Sequence, residues 1–234
     1  MKTLLLNGHV YSLAENFASA VLIEDAVIAW IGSEGGAQVH EADVDEVFDL
    51  DGDLLAPGFV HLADPDPPAD MGFVHGADRP VPIADGWSAA EWDAAGGTPL
   101  GVVPRGSCRL RSRITAGAAT ALVPAPGEPD AWACMRAAVY EIDAQERISA
   151  RAAFSALTRG AWRLLGHPER GVLSVGAEAT FVQWTADDLI VETPDERISN
   201  WSTDPRSPTP GLPPLAGNTP LPSMRAMWRS GIRQ

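Results

Sequence analysis

Residues 50–61 read Leu50-Asp51-Gly52-Asp53-Leu54-Leu55-Ala56-Pro57-Gly58-Phe59-Val60-His61, and residues 171–184 read Gly171-Val172-Leu173-Ser174-Val175-Gly176-Ala177-Glu178-Ala179-Thr180-Phe181-Val182-Gln183-Trp184. In the first, Val47–Leu50 and Leu54–Ala56 straddle Asp51-Gly52-Asp53, a turn triplet between two apolar runs. The second closes on a strand candidate at 179–184, with another at 188–192. Outward on the N-terminal side, Leu4-Leu5-Leu6 precedes Asn7-Gly8, a hairpin signal, and His9 to Leu13 continues apolar. Ala20–Ile23 and Val27–Ile31 flank Glu24-Asp25-Ala26, a second hairpin pattern. Residues 2–56 thus read as a β-sheet with tight turns.

From 61 to about 98 the periodicity collapses. Asp64-Pro65-Asp66-Pro67-Pro68 and Arg79-Pro80-Val81-Pro82 are extended and forbid helix. Ser88 with Glu91 three residues on has capping-box spacing. Residues 99–103 and 118–123 read as isolated strands. Two helices follow. Asp130 caps one carrying Trp132, Met135, Val139 and Ile142, and Ser149 opens another that stops at Gly166 with Pro168 beyond. A Pro-rich segment at 205–222 leads to a last strand from Met224 to Trp228, with Arg229-Ser230-Gly231 as its turn.

Composition narrows the function class. The 234-residue chain is 45% hydrophobic and 21% charged, ordinary for a soluble globular protein. A formal charge of −14 opposes nucleic acid as a partner, because phosphate binding needs clustered Lys and Arg. No apolar run reaches the ~20 residues of a membrane span, and no signal peptide is evident, so a cytoplasmic protein with no membrane partner is expected. Cys108 and Cys134 match no metal or redox spacing and are expected as reduced thiols.

The stretch at 50–61 resembles the aspartate, glycine, apolar pair, proline-glycine-phenylalanine-valine lead into the barrel of the amidohydrolase superfamily of metal-dependent hydrolases. The stretch at 171–184 resembles that superfamily's return into its small β domain. Asp130-Ala131-Trp132 with Arg136-Ala137-Ala138-Val139 is similar to a run in its amidohydrolase-3-type branch, and Met224–Gly231 to its closing strand and turn. The resemblance implies a mixed β plus α/β fold. Residues 1–60 and 166–234 would form a composite β-sandwich-like domain from both chain termini. Residues 61–165 would be a truncated remnant of a (β/α)8 barrel with a Pro-rich loop. A complete barrel takes about 200–250 residues, so only a few βα units have room.

The family's metal ligands are mostly missing. Its first strand ends in two histidines one residue apart, where this chain has His61-Leu62-Ala63. Its last barrel strand ends in a metal-binding Asp, where this chain has Val123. Lys2 is the sole lysine, so no bridging Lys exists. His61 and His75 with Asp64, Asp66, Asp70, Asp78 and Asp85 are the remaining metal candidates, His61, His75, Asp64 and Asp66 foremost. Two imidazoles and a carboxylate holding Zn²⁺ would leave a position for an activated water. The competing reading is a solvated acidic loop.

Gly106-Ser107-Cys108 loosely resembles a nucleophile turn without its full pattern. Arg109, Arg111 and Arg113 alternate as on one face of an edge strand. Among eight tryptophans, Trp30, Trp132 and Trp162 sit in core-like patterns. Trp87, Trp92, Trp184, Trp201 and Trp228 lie in less regular stretches, where joint exposure would mark a binding surface.

The leading expectation is a degenerate, non-catalytic amidohydrolase-like protein without cofactor, acting as a binding or association scaffold. Its partner would be a second copy or another protein. The alternative is a metal-dependent hydrolase of C–N bonds in amides or cyclic ureas, with Zn²⁺ in a rebuilt site. A third reading is a remnant with no selected function.

Overall fold

The structure, a computed structural model, describes residues 1–76, 78–186, 188–190 and 210–234. Strands from both ends of the chain build two facing sheets. The first carries β1 (Lys2–Leu6), β3 (Ala20–Glu24), β4 (Val27–Gly32) and β5 (Glu46–Asp49) in the order β4-β3-β1-β5. The second carries β2 (His9–Val10), β6 (Leu54–Pro57), β12 (Phe181–Trp184), β13 (Met224–Arg229) and β14 (Ile232–Arg233) in the order β14-β13-β12-β6-β2. β6 from the first quoted stretch pairs antiparallel with β12 from the second, Leu54 opposite Trp184 and Pro57 opposite Phe181. The two stretches are hydrogen-bonded neighbours.

The N-terminal strands read as one sheet are divided between the two, and two turn readings change. Asn7-Gly8 does not close a hairpin: β1 pairs with β3 and β5, while β2 pairs with β6 in the other sheet. Asp51-Gly52-Asp53 likewise carries the chain from β5 in one sheet to β6 in the other. The local signal was a turn, and what it joined was decided by long-range pairing. The hairpin across Asp25 does form, with Glu24 opposite Val27.

Alternation along the second sheet creates two cores. Leu55, Phe181, Ala226 and Trp228 face the first sheet and pack with Leu5, Val21, Ile23 and Ile28. Leu54, Ala56, Val182, Trp184 and Met227 face the opposite way, into a larger core. The outer face of the first sheet is covered by α1 (Glu34–Ala37), which buries Ala37 beside Leu4, Ala20 and Leu22.

Beyond the second sheet lie short parallel strands and helices. β7 (Phe59–His61) pairs parallel with β8 (Phe73–Gly76). β9 (Ile83–Ala84), β10 (Leu100–Val102) and β11 (Thr120–Leu122) form a parallel sheet in the order β11-β10-β9. α2 (Ala89–Ala95) and α3 (Leu110–Thr115) connect successive strands, with Ser88 and Glu91 closing the expected capping box on α2. The sequence reading had no strands at β8 or β9, which are too short and too proline-flanked to show a period.

α4 (Ala131–Arg136) starts on Asp130, whose side chain accepts from the Trp132 and Ala133 amides, and runs on as a π turn over Ala137–Glu141. α5 (Ala150–Leu157) starts on Ser149, and the expected single helix breaks at Thr158 before α6 (Arg159–Leu164). Trp184, Phe59 and Trp132 meet at ring-centroid distances of 5.4 Å in each pair that includes Phe59 or Trp184. The helices thus cover the sheet face, and Trp92, Trp184 and Trp228 are core side chains rather than an exposed set. Trp201, residues 191–192 of the strand candidate and 205–209 of the Pro-rich segment lie outside the described residues.

Candidate functional site

Parallel βα layers hold their chemistry past the C-terminal ends of the strands, where loops converge and backbone groups are free. His61 ends β7, one position after Val60, and is buried. Its ring packs at 5.0 Å from Phe73, and its Nδ1 has no hydrogen-bond partner among the described residues. Burial holds the imidazole below its usual pKa range, and the nearby Asp64 charge pulls partly the other way.

His75 lies on β8 opposite Val60, while His61 lies opposite Gly76. A one-residue offset puts the two imidazoles on opposite faces of this strand pair. His75 accordingly stacks on Trp162 of α6 at 4.5 Å, and its Nε2 stands 3.5 Å from Asp78 Oδ2. Asp64 uses its Oδ1 to accept the Asp66 amide at 2.9 Å, closing a turn, and Asp66 is exposed. The four foremost metal candidates are therefore not gathered. Among the described residues, no group of three or more His, Cys, Asp or Glu side chains is disposed to hold an ion.

The space between the strands is filled by hydrocarbon. A methyl group on Gly101 would stand 2.6 Å from Ile83, 2.7 Å from Val123 and 3.7 Å from Leu62. Leu62 and Val123 are fully buried, each one residue past its strand. Gly101 is bare because those three side chains already occupy the volume.

Toward β9 and β10 the strand ends are polar. Asp85 pairs with Arg105 beside Trp87, Gly106, Ser107 and Cys108, which border a hollow of about 330 Å³. The turn read at Gly106 exists, with φ +58°, but the Cys108 thiol is buried and its pKa is pushed up by that burial, so it is a poor nucleophile. Arg109, Arg111 and Arg113 lie on or at the cap of α3, not on an edge strand. Arg113 is buried, donates to the Gly96 carbonyl at 2.8 Å and lies over the Trp92 ring, so it holds the end of α2.

Solved structures share this arrangement. Enamidase, described as a new member of the amidohydrolase superfamily, superposes with a TM-score of 0.61 at 11% identity, over 100% of this chain and 95% of that one. An adenosine deaminase from Xanthomonas campestris with bound zinc gives 0.61 at 12% identity, over 99% and 92%. Guanine deaminase from E. coli gives 0.56 at 11%, over 78% and 87%. The chain shares its fold with these structures. At these identities the likeness is one of fold. No protein-family model matches the chain, and no curated protein matches it.

One of these neighbours holds zinc, and the residues present here can be tested against such a metal. A catalytic zinc needs three protein ligands and an open fourth position. The Nδ1 of His61, unpartnered among the described residues, is one available donor, and the charge acting on that ring is that of Asp64. His75 is turned away, and Val123 stands where the amidohydrolase resemblance would put a carboxylate. This donor set does not fit a catalytic zinc. The sequence reading missed the Asp85–Arg105 pair, since an Asp and an Arg twenty residues apart carry no local signal.

No helix among the described residues is long and apolar enough to cross a membrane.

Proposed function

We propose that this protein is a non-catalytic member of the amidohydrolase fold that serves as a binding or association scaffold. In this reading residues 1–60 and 166–234 are a composite β domain, and 61–165 is a shortened remnant of a (β/α)8 barrel. The observation that carries it is the hydrocarbon fill of Leu62, Ile83 and Val123 at the strand ends, with His61 and His75 on opposite faces. A hydrolytic water needs a polar, open position beside its metal, and that volume is taken. Cys108 and Cys134 are buried free thiols, in keeping with a reducing cytoplasm. The proposed macromolecular partner is a second copy of the chain or another protein.

The competing reading is a metal-dependent hydrolase of C–N bonds in amides or cyclic ureas. In its favour stands His61, a buried imidazole with an unpartnered Nδ1. Elemental analysis of tag-free protein, prepared without chelator, separates the two. The scaffold reading expects well under one equivalent of Zn, Mn or Fe, unchanged in His61→Ala. One equivalent per chain that disappears in His61→Ala overturns it. Sedimentation velocity on the same sample reads self-association.

A further inference from the structure

Between the β-sandwich and α5 lies a pocket of about 360 Å³. Its apolar lining includes Tyr11, Pro57, Phe154 and Leu173. All four are buried, and the Tyr11 and Phe154 rings meet at 4.6 Å. Arg151 and Arg159 also line it, both exposed, and Ser155 lies midway between them in sequence. Arg151 and Ser155 are four apart on one side of α5, and Arg159 opens α6 just past the break at Thr158. Among the described residues no acidic side chain lines the pocket.

Two features are out of keeping with a merely structural gap. The chain has 31 acidic residues against 17 basic ones, yet neither the Arg151 nor the Arg159 guanidinium makes a hydrogen bond or ion pair among the described residues. The second is Tyr11, 6% exposed, whose hydroxyl likewise has no hydrogen-bond partner among the described residues. Buried phenols usually find a partner. Here the phenol and two cations border the same apolar hollow.

We propose that this pocket binds a small amphipathic anion, with its apolar body on Tyr11 and Phe154 and its anionic head held by Arg151, Arg159 and the Tyr11 hydroxyl. The volume lies within the range of small-molecule sites, and a few polar groups around apolar walls are how such sites fix orientation. The head group is a carboxylate or a phosphate monoester, since guanidinium forks match both. This deepens the binding reading above and rests on it, but the two fail separately. Metal content tests the strand ends, and ligand titration tests this pocket.

Isothermal titration of the full chain with 3-phenylpropionate, hexanoate and phenyl phosphate, each beside its uncharged amide or alcohol analogue, decides the matter. At least one anion is expected to bind saturably, about tenfold or more tighter than its neutral analogue. Arg151→Gln/Arg159→Gln should abolish that preference while leaving near-UV circular dichroism unchanged, because both side chains are exposed. Tyr11→Phe should weaken the anion about three- to tenfold. Preference for carboxylates over phosphate, or the reverse, identifies the head group. Equal binding of charged and neutral partners, no saturable binding by any of the three anions, or full affinity in the double variant would each overturn the proposal.

Discussion

Gln183 donates its Nε2 to Asp53 Oδ2 at 2.7 Å, joining the two ends of the chain through a buried side-chain bond. The same amide reaches the Leu50 carbonyl at 3.3 Å, and Arg225 Nε stands 2.9 Å from the same Asp53 oxygen. Gln183 is thus the polar member of a strand whose neighbours Phe181, Val182 and Trp184 are all core. Replacing it with Ala leaves a buried carboxylate with one partner fewer. The expected cost is about 1–3 kcal/mol, read as a lower midpoint in urea with an unchanged slope. Full stability in Gln183→Ala would mean that Arg225 and solvent satisfy Asp53 without it.

Asp53 also gives the protein a pH dependence of its own. Burial pushes its carboxyl above the usual range, and the Gln183 bond and the Arg225 charge only partly offset it. A carboxyl raised on folding holds its proton more tightly in the native state. Its contribution is full below the unfolded carboxylate pKa and is lost as pH rises through the folded one. Asp53→Asn keeps the shape and removes the titration. Between pH 3.5 and 7, Tm should therefore shift in favour of Asp53→Asn relative to wild type. A parallel pair of curves would show that Arg225 compensates the burial fully.

The two quoted stretches each contain a glycine fixed by close approach. A Cβ on Gly58 would overlap the Val74 side chain on the neighbouring strand β8, and a Cβ on Gly171 would stand 2.8 Å from the Arg159 backbone nitrogen at the start of α6. Gly171 also has φ +74°, where a side chain adds strain. Gly58→Ala should cost about 1–3 kcal/mol and be partly rescued by Val74→Ala, because the obstacle is a side chain. Gly171→Ala should cost more and resist rescue by any side-chain deletion, because the Arg159 backbone obstructs it as closely as Trp162 Cδ1, also at 2.8 Å. Denaturant titration of the four variants, including the double, checks both statements.

These glycines also show what a sequence can and cannot reveal. Local devices were legible: the caps at Ser88, Asp130 and Ser149 and the hairpin across Asp25 each lie within a few residues. Pairing over distance was not. Asn7-Gly8 is a genuine turn with Asn7 at φ 55°, yet nothing within ten residues says that its two strands part into different sheets. Trp184 falls near a polar stretch, but its ring is buried by Phe59 and Trp132 from elements far along the chain. At the strand ends the motif placed His61 correctly at the close of a strand. That Leu62, Ile83 and Val123 meet around Gly101 was invisible, because they come from three distant parts of the chain.

His61 supplies the sharpest solution test of the strand ends. With its Nδ1 unpartnered and its ring against Phe73, the neutral form is favoured and the pKa lies below the usual imidazole value of about 6.5. A pKa lowered on folding gives stability that is full above the unfolded value and falls as pH drops through the folded one. Wild type should therefore lose more Tm than His61→Leu between pH 7 and 5. Two-dimensional NMR of the imidazole should show a midpoint below those of the free histidines in unfolded protein. Asp64→Asn keeps an oxygen for the Asp66 amide but removes a charge that raises the His61 pKa, so the midpoint should move further down. A midpoint at or above the ordinary value in wild type would show that the imidazolium has a partner in the fold.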